Sequence, residues 1–198
     1  SALATTRGNG QGKPMAGEWQ SAIDRAQRNA PFLARSLERL PELADLLAAG
    51  DLDAAFDYCA HAGDSVDIGV ALRRERLALA LTLAIGDLAG VLSLDEVMAR
   101  LSAFADRSLD RAIAEAARAR TTMDSVDGFF ALALGKHGAG ELNYSSDIDP
   151  ILIFDPDTMP RRSRDDPDEA AVRIARRMVE ILSARTADGH VLRVDLRL

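Results

Sequence analysis

The stretch that decides the fold of this 198-residue chain is residues 129–154, FFALALGKHGAGELNYSSDIDPILIF. It begins with a short apolar run, Phe129–Leu134, which predicts a buried strand. A glycine-rich turn, Gly135–Gly140, follows it, and Ile148–Phe154 predicts a second strand. Two short strands joined by such a turn mark a change from the helical composition that precedes them.

A helix and a third strand are predicted beyond this stretch. Asp166 followed by Pro167 is a typical N-cap and first helical residue, and the helix they begin is expected to reach about Ala184. Residues 191–198 then alternate apolar and charged side chains, which predicts a strand with one core face and one charged face. The order strand, turn, strand, helix, strand is typical of an α/β or α+β module.

The first half of the chain has a helical composition. Residues 18–123 are rich in Ala and Leu and contain few β-branched residues, which favours helices. Pro31 and Pro41 each stand at the first position of a predicted short helix, where the missing N–H has no helical partner to lose. Residues 67–85 predict a longer helix that ends at Gly86.

A capping box marks the start of the longest predicted helix. Ser93 is followed three residues later by Glu96, and apolar residues then recur at helical spacing to about Arg120. These patterns predict an α+β fold, because a run of helices precedes the strands. They divide the chain into a flexible leader (1–17), a helical region (18–124) and a strand-containing region (125–198).

Composition excludes several classes of protein. Lys and Arg number 24 and Asp and Glu number 31, so 24 − 31 gives a net charge of −7, which argues against nucleic-acid binding. The single cysteine, Cys59, excludes an internal disulfide and a cysteine-rich zinc site, and it fits a reducing cytoplasm. The longest apolar stretch, near residues 77–85, is too short to span a membrane.

Three carboxylates in the strand-containing region predict a site for divalent cations. Asp147 and Asp149 are two residues apart along one predicted strand, so their side chains share a face at a separation of about 7 Å. Asp195 lies on the charged face of the third predicted strand with Arg193 and Arg197. If these strands are neighbours, Asp195 joins the pair as a third ligand, and an arginine binds a phosphate or a carboxylate.

The glycine-rich turn predicts an anion-binding loop. Gly135 and Gly138 allow backbone N–H groups to approach an anion closely, and Lys136 adds positive charge. Simpler interpretations remain open, because an isolated Asp-x-Asp pair is commonly a solvated loop and a Gly-Lys-x-Gly run is commonly only a turn. The three histidines have no partners at ligand spacing and are interpreted as surface or packing residues.

Four segments together resemble one known family. The segments are Arg28–Arg35, Leu72–Arg76, Gly135–Asp149 and Asp188–Leu198. They are similar to the bacterial glutamine synthetase adenylyltransferase/adenylyl-removing enzymes of the nucleotidyltransferase superfamily, which have two catalytic halves. The run Glu141–Asp147 resembles the N-terminal, adenylyl-removing half.

The resemblance implies a fold and a reaction. The fold would be a nucleotidyltransferase-type mixed β-sheet with a crossover helix, truncated after Leu198, so that this chain alone would be catalytically weak. The reaction would be phosphorolysis, in which inorganic phosphate attacks the AMP phosphorus of an adenylylated tyrosine on glutamine synthetase and ADP leaves. Two Mg²⁺ or Mn²⁺ ions would be held by Asp147, Asp149 and Asp195.

The resemblance also implies contacts and partners. Gly138, Ala139 and Ser146 would contact phosphate oxygens. The partners would be adenylylated glutamine synthetase, a PII-type signal protein, phosphate and the nucleotides ADP and ATP. Two alternatives stay open: adenylylation of the same tyrosine with ATP, and a non-catalytic docking or regulatory module that binds through its helical region.

Three positions depart from the family pattern. An apolar residue is usual where His137 stands, a second glycine is usual at Ala139, and an apolar residue is usual at Pro150. Ala139 keeps a small side chain, so it leaves room for a phosphate. Pro150 removes one donor from the sheet ladder, which predicts an edge position or a local bulge.

Overall fold

The computed structural model describes residues 16–64, 67–119, 121 and 126–196. Of the leader predicted for residues 1–17, residues 1–15 lie outside the described part. Its last two residues belong to the first helix. The elements are, in order, α1 Ala16–Asn29, α2 Pro31–Arg39, α3 Pro41–Ala48, α4 Leu52–His61, α5 Ile68–Leu88, α6 Leu94–Arg118, β1 Phe129–Leu132, α7 Gly135–Gly138, β2 Ile151–Phe154 and α8 Pro167–Ser183.

The helix starts agree with the sequence patterns. Pro31 and Pro41 begin α2 and α3, and Pro167 begins α8 behind the side chain of Asp166, which accepts the Glu169 N–H. The capping box before α6 is confirmed. Ser93 and Glu96 exchange side-chain and backbone hydrogen bonds at 2.8 and 3.2 Å.

The central helix, α5, runs further than its sequence suggests. Gly86 was expected to end it, but α5 continues to Leu88 and Gly86 is buried inside it. A β-carbon at Gly86 would lie 2.7 Å from Leu92 Cδ1, so this glycine allows the following loop to pack closely against the helix. Gly86 is therefore a packing residue and not a helix terminator.

The two strands pair antiparallel, with Phe129 opposite Phe154 and Leu132 opposite Ile151. Both are shorter than predicted, since β1 ends at Leu132 and β2 begins at Ile151. The prediction that β1 is fully buried is wrong. The sheet buries one face and leaves the other exposed, and the exposed apolar side chains of the strands are Phe130, Leu132, Ile151 and Ile153.

The third predicted strand is reduced to a single bridge. Among residues 191–196, Val194 pairs with Ile148 in parallel orientation, through N–H···O bonds of 2.9 and 3.0 Å. Pro150 stands between Ile148 and β2 and has no N–H, so the ladder cannot continue from the bridge into the strand. Pro150 thus lies outside both paired segments, and the edge position or bulge predicted there stays a prediction. Residues 197 and 198 lie outside the described part.

One hydrophobic core crosses the predicted boundary between the regions. α8 packs along α6, and Ile174 and Met178 of α8 belong to the same buried cluster as Phe104 and Leu109 of α6. The segment 159–166, which its charge predicts to be a loop, has a buried anchor in Met159. The α+β class is confirmed, while the nucleotidyltransferase-type mixed sheet stays a prediction. Within the described residues, no helix is long and apolar enough to cross a membrane.

Candidate active site

The bridge between Ile148 and Val194 brings two distant carboxylates together. In a parallel pair, the residues that follow two bridged residues stand side by side on one face. Asp149 follows Ile148 and Asp195 follows Val194, and both side chains line a cavity of about 230 Å³ with Leu134. The predicted meeting of Asp149 and Asp195 is therefore seen in the structure.

The residues that precede the bridged pair form an ion pair. Asp147 and Arg193 occupy the same face one step earlier, and Arg193 Nε contacts Asp147 Oδ1. Both side chains are about half exposed, at 51% and 49%. Arg193 also donates from Nη2 to the Ser145 carbonyl. Arg193 thus contacts a carboxylate, which is one of the two contacts that its position predicts.

The three predicted metal ligands are not gathered into one cluster. Within the described residues, no three His, Cys, Asp or Glu side chains lie close enough to hold an ion together. Asp149 and Asp195 share the cavity, while Asp147 is turned toward Arg193. Carboxylate oxygens are the donors that Mg²⁺ and Mn²⁺ prefer, so Asp149 and Asp195 fit such an ion chemically.

The glycine-rich turn forms a one-turn helix, α7, in which the N–H groups of Gly138 and Ala139 donate to the carbonyls four residues earlier. Gly138 N–H donates to the Leu134 carbonyl at 3.1 Å, and Ala139 N–H donates to the Gly135 carbonyl at 3.0 Å. A β-carbon at Gly138 would lie 2.5 Å from the Ala133 carbonyl oxygen, so packing requires a glycine there. The interpretation that these two N–H groups cradle a phosphate needs those bonds to be replaced, and it stays a prediction.

His137 was interpreted as a surface or packing residue, and the structure shows a polar contact as well. Its side chain is 1% exposed, and its Nε2 lies 2.8 Å from Asp106 Oδ1 on α6. One turn earlier on α6, Ser102 Oγ accepts the Leu142 N–H at 3.3 Å. Ser102 and Asp106, on one face of α6, therefore contact the glycine-rich turn and the residue two positions after it. The histidine at a usually apolar position is the sequence signal that could have indicated this contact.

A larger cavity lies beside the signature segment, Gly135–Asp149. It measures about 410 Å³ and lies among α2, α5, α6 and the loop before Asp147. Most of its lining is apolar, and Arg76, Tyr144 and Ser146 contribute polar groups. Burial raises the pKa of Tyr144 to about 12, with a contribution from Asp87, so this phenol is neutral near pH 7.

Positive charge is concentrated beside this loop. Burial lowers the pKa of His190, and the arginines at positions 76, 185 and 193 lower it further, while Asp147 opposes them. Burial, followed by repulsion from Arg193, also lowers the pKa of Arg76. The sequence placed Arg76 in a segment that resembles the family but assigned it no site role, because 68 residues separate it from its contact at Tyr144.

The remaining predicted site residues are placed as follows. Lys136 is exposed on α7. Ser146 Oγ accepts the Asn143 N–H at 3.0 Å and faces the larger cavity. Gly135 takes a φ of +56°, a left-handed conformation that glycine adopts without strain. Arg197 lies outside the described residues.

Known proteins match this chain along most of its length. A family model described as glutamate-ammonia ligase adenylyltransferase matches residues 22–198. A bifunctional glutamine synthetase adenylyltransferase/adenylyl-removing enzyme of Caulobacter vibrioides is 39% identical over 189 residues, covering 85% of this chain and 19% of its own length. The protein of the same description from Xanthobacter autotrophicus is 42% identical over 150 residues, covering 70% of this chain and 15% of its own length.

The relatives are much longer than this chain, which spans about a fifth or less of the length of those it matches. The family model nevertheless covers the helical region together with the signature segment and the bridge at Val194. The match therefore extends over both regions and is not confined to one motif. The chain belongs to the glutamate-ammonia ligase adenylyltransferase family.

Proposed function

We propose that this chain carries the adenylyl-removing site of its family, which catalyses phosphorolysis of adenylyl-tyrosine on glutamine synthetase. The observation that supports the proposal best is the pairing of Asp149 with Asp195 on one cavity, through a bridge between residues 46 positions apart. In the reaction, an oxygen of inorganic phosphate bonds to the adenylyl phosphorus. The bond from phosphorus to the tyrosine oxygen breaks, ADP leaves, and the phenolate takes up a proton.

In the proposed reaction, acidic residues would bind metal ions and basic residues would bind phosphate groups. Asp149 and Asp195, with Asp147 as a third ligand, would hold Mg²⁺ or Mn²⁺. Such ions, when bound, neutralise the phosphoryl oxygens and stabilise the leaving phenolate. The exposed Lys136 and the half-exposed Arg193 would supply positive charge for the phosphates. The reaction needs little acid–base chemistry from the protein, because phosphoryl transfer depends mainly on position and charge.

A first experiment tests the metal site without an activity assay. Mn²⁺ is titrated into the chain by calorimetry, with Asp149→Asn and Asp195→Asn as variants. Asp157→Asn is the matched control, since Asp157 is an exposed carboxylate in the turn after β2. We expect each site variant to weaken Mn²⁺ binding at least about tenfold and the control to bind as the unchanged chain does. Equal binding by all four proteins would refute the metal site.

A second experiment tests the reaction. Adenylylated glutamine synthetase is incubated with phosphate and Mg²⁺, and ADP is measured, with the full-length Caulobacter vibrioides relative as positive control. Any activity of this chain should fall by on the order of 100-fold in Asp149→Asn, since a metal ligand contributes several kcal/mol to the transition state. Modification of unadenylylated enzyme with ATP would instead support the adenylylating reaction. Binding of glutamine synthetase or a PII-type protein without either reaction would support a docking module.

A further inference from the structure

Two arginines from distant parts of the chain contact consecutive residues, Tyr144 and Ser145, of the signature loop, residues 142–146. Arg76, on α5, donates from Nη2 to the Tyr144 carbonyl at 3.4 Å. Arg193, beside the bridge, donates from Nη2 to the Ser145 carbonyl. The next residue is Ser146, whose side chain lines the same cavity as Arg76. Two guanidinium groups and a hydroxyl therefore lie around one short loop.

The charge at this place is opposite to that of the whole chain. The chain has a net charge of −7, yet Arg76, Arg185 and Arg193 all lower the pKa of His190, and Arg193 lowers the pKa of Arg76. Asp147 is the carboxylate that offsets this charge at His190. Like charges held together in a partly buried place cost free energy, and a bound anion removes that cost.

The donors at this place also have capacity to spare for a ligand. A guanidinium group carries five N–H donors, and the one hydrogen bond given above for Arg76 is long. The cavity beside it, of about 410 Å³, is large enough to admit a small anion with its water. By contrast, the N–H groups of Gly138 and Ala139 already donate to carbonyls of their own turn. The arginines are therefore better available to an incoming phosphate than these two N–H groups.

We propose that Arg76 and Arg193, together with the hydroxyl of Ser146, bind inorganic phosphate, the attacking group of the phosphorolysis. This inference rests on the proposed function. Planar guanidinium groups match the oxygens of a phosphate in pairs, which a lysine cannot do. A phosphate site that includes Arg76 also gives the helical region a part in the reaction, because Arg76 belongs to α5.

Charge favours inorganic phosphate over a nucleoside at this position. A neutral base gains nothing from the two arginines, whereas a phosphate dianion gains from each of them. The phosphate of a nucleotide has the same chemistry, so the experiment separates the two sources by comparing inorganic phosphate with AMP.

Phosphate binding by the chain itself is the test. Inorganic phosphate is titrated by calorimetry at constant ionic strength into the unchanged chain, Arg76→Gln and Arg74→Gln. Arg74 is the matched control, since it is exposed, lies two residues away on the same helix and carries the same charge. We expect Arg76→Gln to weaken phosphate binding at least about tenfold and Arg74→Gln to change it less than about twofold.

A second variant guards against simple misfolding. Arg76→Lys keeps the charge but loses the paired donors, so its affinity for phosphate should lie between those of the unchanged chain and Arg76→Gln. Circular dichroism checks that each variant is helical. Absence of phosphate binding in the unchanged chain at tens of millimolar, or equal losses in Arg76→Gln and Arg74→Gln, would overturn the inference. Tighter binding of AMP that does not depend on Arg76 would also overturn it.

Failure of this inference differs from failure of the proposed function. If phosphate binds through Arg76 but adenylylated glutamine synthetase releases no ADP, the phosphate site stands and the reaction is wrong. If ADP is released with the same KM for phosphate in Arg76→Gln, the reaction stands and this site is wrong.

Discussion

The helical region and the strand-containing region are stabilised in different ways. In α5, residues on nearly every side are buried, including Leu72, Leu81 and Leu83 at 0% exposure. In the sheet, the opposing pair Phe130 and Ile153 is exposed at 58% and 50%. The strands pack only one face on the core, where Phe129 is 5% exposed, and the bridge at Ile148 adds directional contacts. We therefore expect substitutions in the core of α5 to lower stability and substitutions at the candidate site to change the chemistry instead.

The largest expected effect is on the core of the helical region. Leu83→Ala should lower the free energy of unfolding by about 3 kcal/mol, because it leaves a cavity in a fully buried position. Leu132→Ala makes the same change in β1, where the side chain is 52% exposed, and should cost less than about 0.5 kcal/mol. Urea unfolding followed by circular dichroism measures both. Equal losses would show that the two regions are packed alike.

A smaller effect tests how the helical region holds the glycine-rich turn. His137→Ala and Asp106→Ala should each cost about 1 to 2 kcal/mol of unfolding free energy, since each removes one partner of a hydrogen bond made by the buried His137 ring. The double variant should cost less than the sum, with a coupling of about 1 kcal/mol in a double-mutant cycle. Asp110→Ala, an exposed change one turn further along α6, is the control. Additive losses would mean that the two side chains do not interact.

A still smaller effect is expected for the carboxylate that pairs with Arg193. The sequence suggests that three clustered carboxylates repel, so that Asp147→Asn leaves the stability unchanged or raises it. In the structure Asp147 has an arginine partner, but both side chains are about half exposed, which makes the pair weak. We expect the unfolding free energy to change by less than about 1 kcal/mol. A larger loss would show that the ion pair stabilises the loop.

The smallest effect contrasts one histidine from each region. Hydrogen bonding to the Asp57 carbonyl and the negative charge of Asp57 raise the pKa of His61, while burial and nearby arginines lower the pKa of His190. NMR titration of the ring protons should place the two on opposite sides of 6.5, their ordinary value. Two values on the same side would contradict the charge distribution around the loop.

The same pKa shifts predict how each of these two histidines contributes to the pH dependence of stability. The folded pKa of His190 lies below that of the unfolded chain, so its contribution favours folding above pH 6.5 and is lost as the pH falls. His61 acts in the reverse direction, since its contribution is present at low pH and is lost as the pH rises through its folded pKa. Replacing each with Gln and measuring unfolding at pH 5.5 and 7.5 checks both signs.

Local sequence by itself determined the helix starts and the residue types of the candidate site. Pro31, Pro41, Ser93 and Asp166 mark their helices correctly, because capping and proline preferences act within one turn of the chain. The alternation of residues 147 to 149 predicts one shared face for their carboxylates, again from near neighbours in the chain. The family also followed from the sequence, since the segment Gly135–Asp149 is long and specific.

Only the tertiary structure decided where the helices and strands end and which distant residues contact them. Gly86 lies inside a helix because packing against Leu92 outweighs its poor helix propensity, and the third strand shrinks to one bridge because Pro150 interrupts the ladder. The contacts of Arg76 with the loop and of His137 with α6 join residues 68 and 31 positions apart. Such contacts depend on how helices pack against strands, which no local pattern encodes.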